Sequence, residues 1–417
     1  MISRRSMLIA AFSTVVEWYD FTLYLYFATV LSRVFFGGGE ASLITTLAGF
    51  AVAYLLRPIG AVVFGNIGDR FGRRRMMLLS MALMSMAMLA TALLPTYAVI
   101  GPAAGWLLLL LRCVMGFSVG GEYTGVVAYL LEGARPDRRG LIASGAAAAS
   151  EIGALLAVGV SALTVHFLSE ADLASWGWRV PFFVGAALAG VVWIARSTME
   201  ESPDFERQVT GGTAPARPLR HVLANHRRGI VRSFAISALG SITYYVGIAY
   251  VPTFLTSAGA LSESISLWLS TVAAGVVILV TPLIGVLSDR VGRKPVLVTL
   301  GIGSAVLPIT LFSIMTSGPA PALLGAVVLA GLAGGVSAVG AVATAEQFPG
   351  EGRLTGLALG ATAATAIFGG FTPYVAQLLI ARTGSTLLPG VMIAVVALVV
   401  LPVLLTSPET RPSASRD

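Results

Sequence analysis

The chain reads as an all-α polytopic membrane protein of about twelve spanning helices in two repeated six-helix bundles. Three observations point there: a hydrophobic fraction of 56% against a charged fraction of 11%, apolar runs long enough to span a bilayer, and one short motif that occurs twice. Soluble domains carry about a quarter charged residues, so a chain of 417 residues with this composition has too few polar groups to cover a soluble surface. About twenty apolar residues in helix cross the hydrocarbon core. Twelve such segments are found, at 7–30, 43–65, 76–95, 103–128, 141–167, 179–197, 229–256, 265–286, 296–316, 321–345, 354–381 and 386–406. The first contains Glu17 and Asp20 and is too long for a cleavable leader, so it reads as a retained membrane helix. The single cysteine, Cys113, excludes an intrachain disulfide.

The pI of 9.8 does not imply nucleic acid. With the N-terminus placed in the cytoplasm, 22 of the 27 basic residues fall in cytoplasmic segments. Only Arg33, Arg179 and Arg382 fall on the other side, and Arg57 and Arg112 lie within helices. This is the positive-inside asymmetry. It predicts both termini in the cytoplasm and a multi-pass protein of the inner membrane.

The repeat sets the organisation. Residues 65–74 read GNIGDRFGRR and residues 285–294 read GVLSDRVGRK. Each falls in the loop after the second helix of its half. A second pair agrees: Glu132 precedes Arg139 by seven positions, as Glu346 precedes Arg353. The expected units are 1–197 and 229–417, six helices each, joined by a charged, Gly- and Pro-containing linker at 198–228. Two packed bundles with a site between them at the midplane suit alternating access.

These loops resemble the signature of the major facilitator superfamily. The chain is similar, more narrowly, to its metabolite–proton symporters through VVEWYDF (15–21), LLRPIGA (55–61), RCVMGFSVGGEYTG (112–125), WGWRVPFF (176–183), TYYVGIAYVPTFL (243–255) and AEQFPGEGR (345–353). Within that group it looks most similar to proline/betaine-type carriers, while 2-oxoglutarate, citrate and shikimate carriers share many of the motifs. The resemblance implies import of a small zwitterion or organic acid with protons, with export of a small metabolite or siderophore-like compound as the alternative. Osmosensing members carry a long tail with heptad character; about a dozen residues follow the last helix here.

Few ionisable residues lie at membrane depth: Glu17, Asp20, Arg57, Arg112, Glu122 and Glu151, all in the first half. Each costs about 2.5–3.5 kcal/mol at a helix centre, so they must face inward and pair or change protonation. Glu17, Arg112 and Glu151 sit about ten residues inside their helices, roughly 15 Å deep. Glu17 and Asp20 share a helical face that Tyr24 extends. Two carboxylates so close resist double ionisation, which suits proton coupling; a static network of Glu17, Asp20 and Arg112 is the plainer reading. Proton-coupling candidates are therefore Glu17, Asp20, Glu151 and Arg112.

Arg112 and Arg57 are candidate anchors for a substrate carboxylate, although Arg57 can equally snorkel to the interface. Glu122 is a partner for loop arginines or a proton exit group. Trp18, Tyr19, Tyr24, Tyr244, Tyr245, Tyr250, Phe368, Phe371 and Tyr374 are candidate cavity rings, able to hold an ammonium group or simply to pack. Gly65, Asp69, Arg70, Gly72 and Arg73, with Gly285, Asp289, Arg290, Gly292 and Arg293, form the expected gating loops, their glycines permitting the turn.

Gly116–Gly120 matches the G-x-S-x-G hydrolase elbow, but it lies in a membrane helix far from His166, His221 and His226. That elbow needs a strand-to-helix turn and a nearby histidine, so close helix packing explains these glycines better. No P-loop and no Cys/His cluster occurs. The chain is thus expected to be no enzyme and to need no metal or cofactor beyond protons as coupling ion. Its expected partners are a small-molecule substrate and the lipid bilayer, without nucleic acid, and as a monomer.

Overall fold

A computed structural model describes residues 4–71, 73–120, 126, 127, 130, 136–199, 218–258, 260–348 and 353–411, and within these every regular element is helical. The spans are α1 (Arg4–Tyr26, extended past Phe27 by Ala28–Phe36), α2 (Glu40–Leu55, then Arg57–Phe71), α3 (Arg73–Ala92), α4 (Ala103–Ser118), α5 (Arg139–Phe167) and α6 (Val180–Ser197). The second six are α7 (Arg227–Tyr244, a π-turn at Tyr245–Ala249, then Val251–Ser257), α8 (Glu263–Val291), α9 (Arg293–Met315), α10 (Pro319–Ala345), α11 (Arg353–Leu357 through Thr372–Thr383) and α12 (Leu388–Thr406). Among the described residues, nine helices are long and apolar enough to span a membrane and a tenth is a pair bent by 45°. The other two are α1, whose hydropathy Glu17 and Asp20 lower, and α4, described only to Gly120.

The sequence explains the irregularities. The α2 break at Leu56 stands two residues before Pro58, and the wide turns of α7 and α11 precede Pro252 and Pro373. Proline removes a backbone donor and crowds the preceding turn. Positive-φ glycines end helices at Gly37 (φ 86°) and Gly384 (φ 70°), where a Cβ would be strained.

Small residues let the helices touch. A Cβ on Gly116 would lie 2.1 Å from the Ala53 carbonyl oxygen, and one on Gly120 2.1 Å from that of Arg57. The G-x-S-x-G run is therefore the face of α4 that packs on α2, and Ser118 Oγ is spent on the Met115 carbonyl at 2.8 Å.

Some expectations change. Residues 218–225, placed in the linker, form a short helix, Pro218–Asn225. Gly65 and Gly285 lie inside α2 and α8 and form no turn. Gly285 instead brings α8 against α5, where a Cβ would meet Ser144 Oγ at 2.3 Å. The turn is at Gly292, with φ 120°. Gly72 and Glu122 lie outside the described residues, as do the side chains of Asp69, Arg70 and Arg73.

Past α12 the chain folds back on the second motif loop. Glu409 accepts the N–H groups of Arg293 (2.8 Å) and Lys294 (3.0 Å) at the start of α9. Thr410 donates to Glu346 at 2.7 Å. Burial acts to raise the Glu409 carboxyl, but N–H donation from Arg411, Arg293, Lys294 and Thr410 holds it below the usual carboxylate range.

Candidate substrate and proton site

The site begins on one turn of α1. Glu17 and Asp20, three residues apart, lie about 60° from each other around a helix of 3.6 residues per turn. They consequently reach different neighbours. Asp20 accepts Arg112 Nη1 of α4 at 2.8 Å, and Glu17 accepts Arg57 Nη2 of α2 at 3.2 Å. Both acids are fully buried, and Arg112 and Arg57 are 3% and 8% exposed. Separate pairs stand in place of the single Glu17–Asp20–Arg112 network that was the plainer of the two readings of the sequence. Each arginine compensates one carboxylate, which is what burial of charge in an apolar medium requires. Arg57 does not snorkel: its guanidinium stacks 3.8 Å from the Phe21 ring and 4.4 Å from that of Tyr54. Arg112 also approaches Thr91 Oγ1 at 3.4 Å and lies 5.5 Å from the Tyr24 ring.

A cavity of about 170 Å³ lies between the bundles, room for on the order of ten waters or one small solute. Glu17, Trp18, Arg57 and Glu151 line it from the first half, and Tyr244 and Tyr245 of α7 from the second. It runs from these mid-depth residues toward the arginine-rich side, reaching Val127, and Thr344 and Leu357 near the ends of α10 and α11. The opposite side is shut. The Tyr54 and Tyr245 hydroxyls hydrogen-bond, Trp18 sets its edge on Tyr244 at 5.2 Å between centroids, and Thr253 donates to the Leu25 carbonyl at 3.3 Å. Beyond them, Arg33 pairs with Glu263 at 2.8 Å.

Glu151 differs from the other acids. It is 3% exposed, it faces the cavity, and its Oε2 has no hydrogen-bond partner among the described residues. Tyr244 and, at longer range, Tyr26 are its polar neighbours. Gly153 two residues on permits this placement, since a Cβ there would fall 2.2 Å from the Val15 carbonyl oxygen of α1.

Other candidates are not brought to the cavity. Asp20 and Arg112 sit behind its wall, inside the first bundle. Tyr19 donates to the Pro181 carbonyl at 2.7 Å and Tyr24 to that of Thr46 at 3.0 Å, so both are packing residues of that bundle. Tyr250 is tied to Gln377 at 2.5 Å, Phe368 packs on Phe234, and Phe371 and Tyr374 lie off the wall. The sequence reading missed the hydroxyl lining: Ser237 and Ser241 on α7, Ser337 and Thr344 on α10, Thr362 and Thr365 on α11. Ser237, Gly240, Ser241 and Tyr244 recur at i, i+3, i+4 and i+7, as do Ser337, Gly340, Ala341 and Thr344. A small-polar stripe of that period in an apolar helix marks one face, and was the available signal.

Among the gating residues, Asp289 accepts the N–H groups of Gly140 and Leu141 at 2.9 Å each and pairs with Arg293 at 2.7 Å. Arg293 also reaches Glu346 at 3.4 Å. The Arg290 carbonyl accepts from Arg411 at 2.5 Å.

Comparison with known proteins fits this architecture. Residues 6–218 match the family model for sugar (and other) transporters, and residues 260–417 that of the Major Facilitator Superfamily. The chain is 35% identical to the alpha-ketoglutarate permease of Escherichia coli over 372 residues, 88% of this chain and 85% of the relative. The chain belongs to the major facilitator superfamily. Another relative is the ectoine/proline transporter ProP of Corynebacterium glutamicum, 32% identical over 90% of this chain and 78% of its own length. The superfamily fold is matched by the proton:xylose symporter XylE bound to 6-bromo-6-deoxy-D-glucose, with a TM-score of 0.79 over 98% of this chain and 96% of that one at 20% identity. Metabolite carriers of both expected kinds, organic-acid and zwitterion, are thus among its relatives, and it is a multi-pass membrane protein.

Proposed function

We propose that this protein imports a small zwitterion or organic acid together with protons, by alternating access, and that Asp20 is the proton-accepting group. The observation that carries this reading is the Asp20–Arg112 pair, sealed from the cavity yet on the same turn of α1 as the cavity-lining Glu17–Arg57 pair. Protonation of Asp20 releases Arg112 from its partner, and α1 transmits the change to the wall that holds the solute. Arg57 receives a substrate carboxylate, which its planar fork matches. The names permease and symporter among the relatives support import over the exporter alternative.

Both termini lie in the cytoplasm on this reading, so the cavity faces inward and the Tyr54–Tyr245 side faces out. The protein works in the inner membrane as a monomer, with no cofactor other than the coupling proton and with transport rather than catalysis as its activity. The test uses proteoliposomes. Asp20→Asn is expected to abolish accumulation driven by an inward proton gradient while gradient-free exchange of solute persists. Wild-type accumulation by Asp20→Asn would remove Asp20 from the coupling role.

A further inference from the structure

Glu151 is a buried acid with an unmatched oxygen, aimed into the cavity and paired with no cation among the described residues. A buried carboxylate oxygen without a partner is costly, and such a group is retained where a ligand completes it. One ring, Tyr244, is its neighbour, and two more pack on that ring. Trp18 and Tyr244 are 5.2 Å apart between centroids, Tyr244 and Tyr245 5.3 Å, and Trp18 and Tyr245 6.4 Å. All three line the same cavity. Aromatic faces grouped next to a carboxylate attract an ammonium group, quaternary ones included.

The charges on the wall point the same way. Among the described lining residues there is one cation, Arg57, and there are two acids, Glu17 and Glu151. Arg57 is already held by Glu17 at 3.2 Å. A dicarboxylate or tricarboxylate would bring carboxylates for which the described wall has no second cation, and an unmatched charge is costly in a low-dielectric site. A molecule with one carboxylate and one cationic nitrogen matches both ends. The guanidinium has five donors, enough for Glu17 and a substrate carboxylate together.

We infer that Glu151, with the Trp18, Tyr244 and Tyr245 rings, forms the subsite for the cationic end of the substrate, and that the transported class is a small monocarboxylate zwitterion rather than a di- or tricarboxylic acid. This deepens the proposed function and rests on it.

The experiment is counterflow exchange without a proton gradient, on the full chain in liposomes, with proline, glycine betaine, ectoine, 2-oxoglutarate and citrate in parallel. Zwitterions are expected to exchange and the acids not. Glu151→Gln is expected to weaken zwitterion exchange at least tenfold in half-saturating concentration, and Glu151→Asp to retain more of it. Omitting the gradient separates recognition from coupling. Exchange of an acid in place of the zwitterions overturns the inference and leaves proton-coupled import standing. Glu151→Gln exchanging zwitterions with unchanged affinity also overturns it, leaving Glu151 as a proton carrier only. Absence of exchange and of gradient-driven uptake for every solute overturns both readings. Should Glu151→Gln give no monodisperse protein, the wild-type panel alone decides the substrate class.

Discussion

The Asp289 carboxylate on α8 accepts the N–H groups of Gly140 and Leu141 at 2.9 Å each, so a side chain of one bundle caps a helix of the other. The first turn of a helix has unpaired N–H groups and a positive dipole end, and an acidic cap suits both. Losing such a cap costs about 1 kcal/mol. Asp289→Ala is expected to lower the thermal midpoint of the purified protein and slow transport, because Arg293 loses a partner as well. An unchanged midpoint would show that the cap contributes nothing between the bundles.

Removing one member of a buried ion pair strands the other. Arg112→Ala should destabilise the protein by about 3–5 kcal/mol, leaving Asp20 uncompensated. The double variant Asp20→Asn with Arg112→Ala should recover most of that stability but none of the gradient-driven uptake. Denaturation in detergent, read beside uptake in liposomes, separates the two effects. A double variant no more stable than Arg112→Ala would contradict pairing as the reason for the loss.

The glycines of α4 are steric requirements. Gly120→Leu should force α2 and α4 apart, since a Cβ alone lies 2.1 Å from the Arg57 carbonyl oxygen, and it should reduce folded yield sharply. Ser118→Ala should leave transport intact, as its hydroxyl bonds only within its own helix among the described contacts. Lost transport in Ser118→Ala with a normal yield would reopen a chemical role for that serine.

Glu409 supplies a pH dependence. Its carboxyl is held below its reference value of 4.5 by backbone N–H groups, against the effect of burial. A depressed acid contributes stability above its unfolded pKa and loses it as pH falls through the folded value. Wild type should therefore melt above Glu409→Gln at neutral pH, and the gap should close as the buffer is taken below about pH 4.5. A gap that persists at lower pH would mean that packing, not charge, distinguishes the two proteins.

Most of the architecture was legible because membrane spans declare themselves by length and hydropathy, and because Asp69 and Asp289 sit in matching motifs 220 residues apart. Glu17, Asp20, Arg57, Arg112 and Glu151 stood out because charge at that depth demands compensation. Partner choice was not legible: whether Glu17 meets Arg112 or Arg57 depends on a 60° difference around α1 and on where α2 and α4 pack. Tyr19 and Tyr24 were misplaced for the same reason, since an aromatic residue has the same pattern whether it faces the bundle interior or the cavity. The return of Glu409 to α9 joins residues more than a hundred positions apart, and nothing local announces it.

The two acids of α1 hold that helix between tethers pulling toward different neighbours, Arg57 on α2 and Arg112 on α4. A rigid rod restrained at neighbouring points by two attractions about 60° apart turns when one slackens. On the proposed reading, neutralising Asp20 works as a crank: a chemical event too small to move anything by its own size becomes rotation of a helix whose other tether borders the solute.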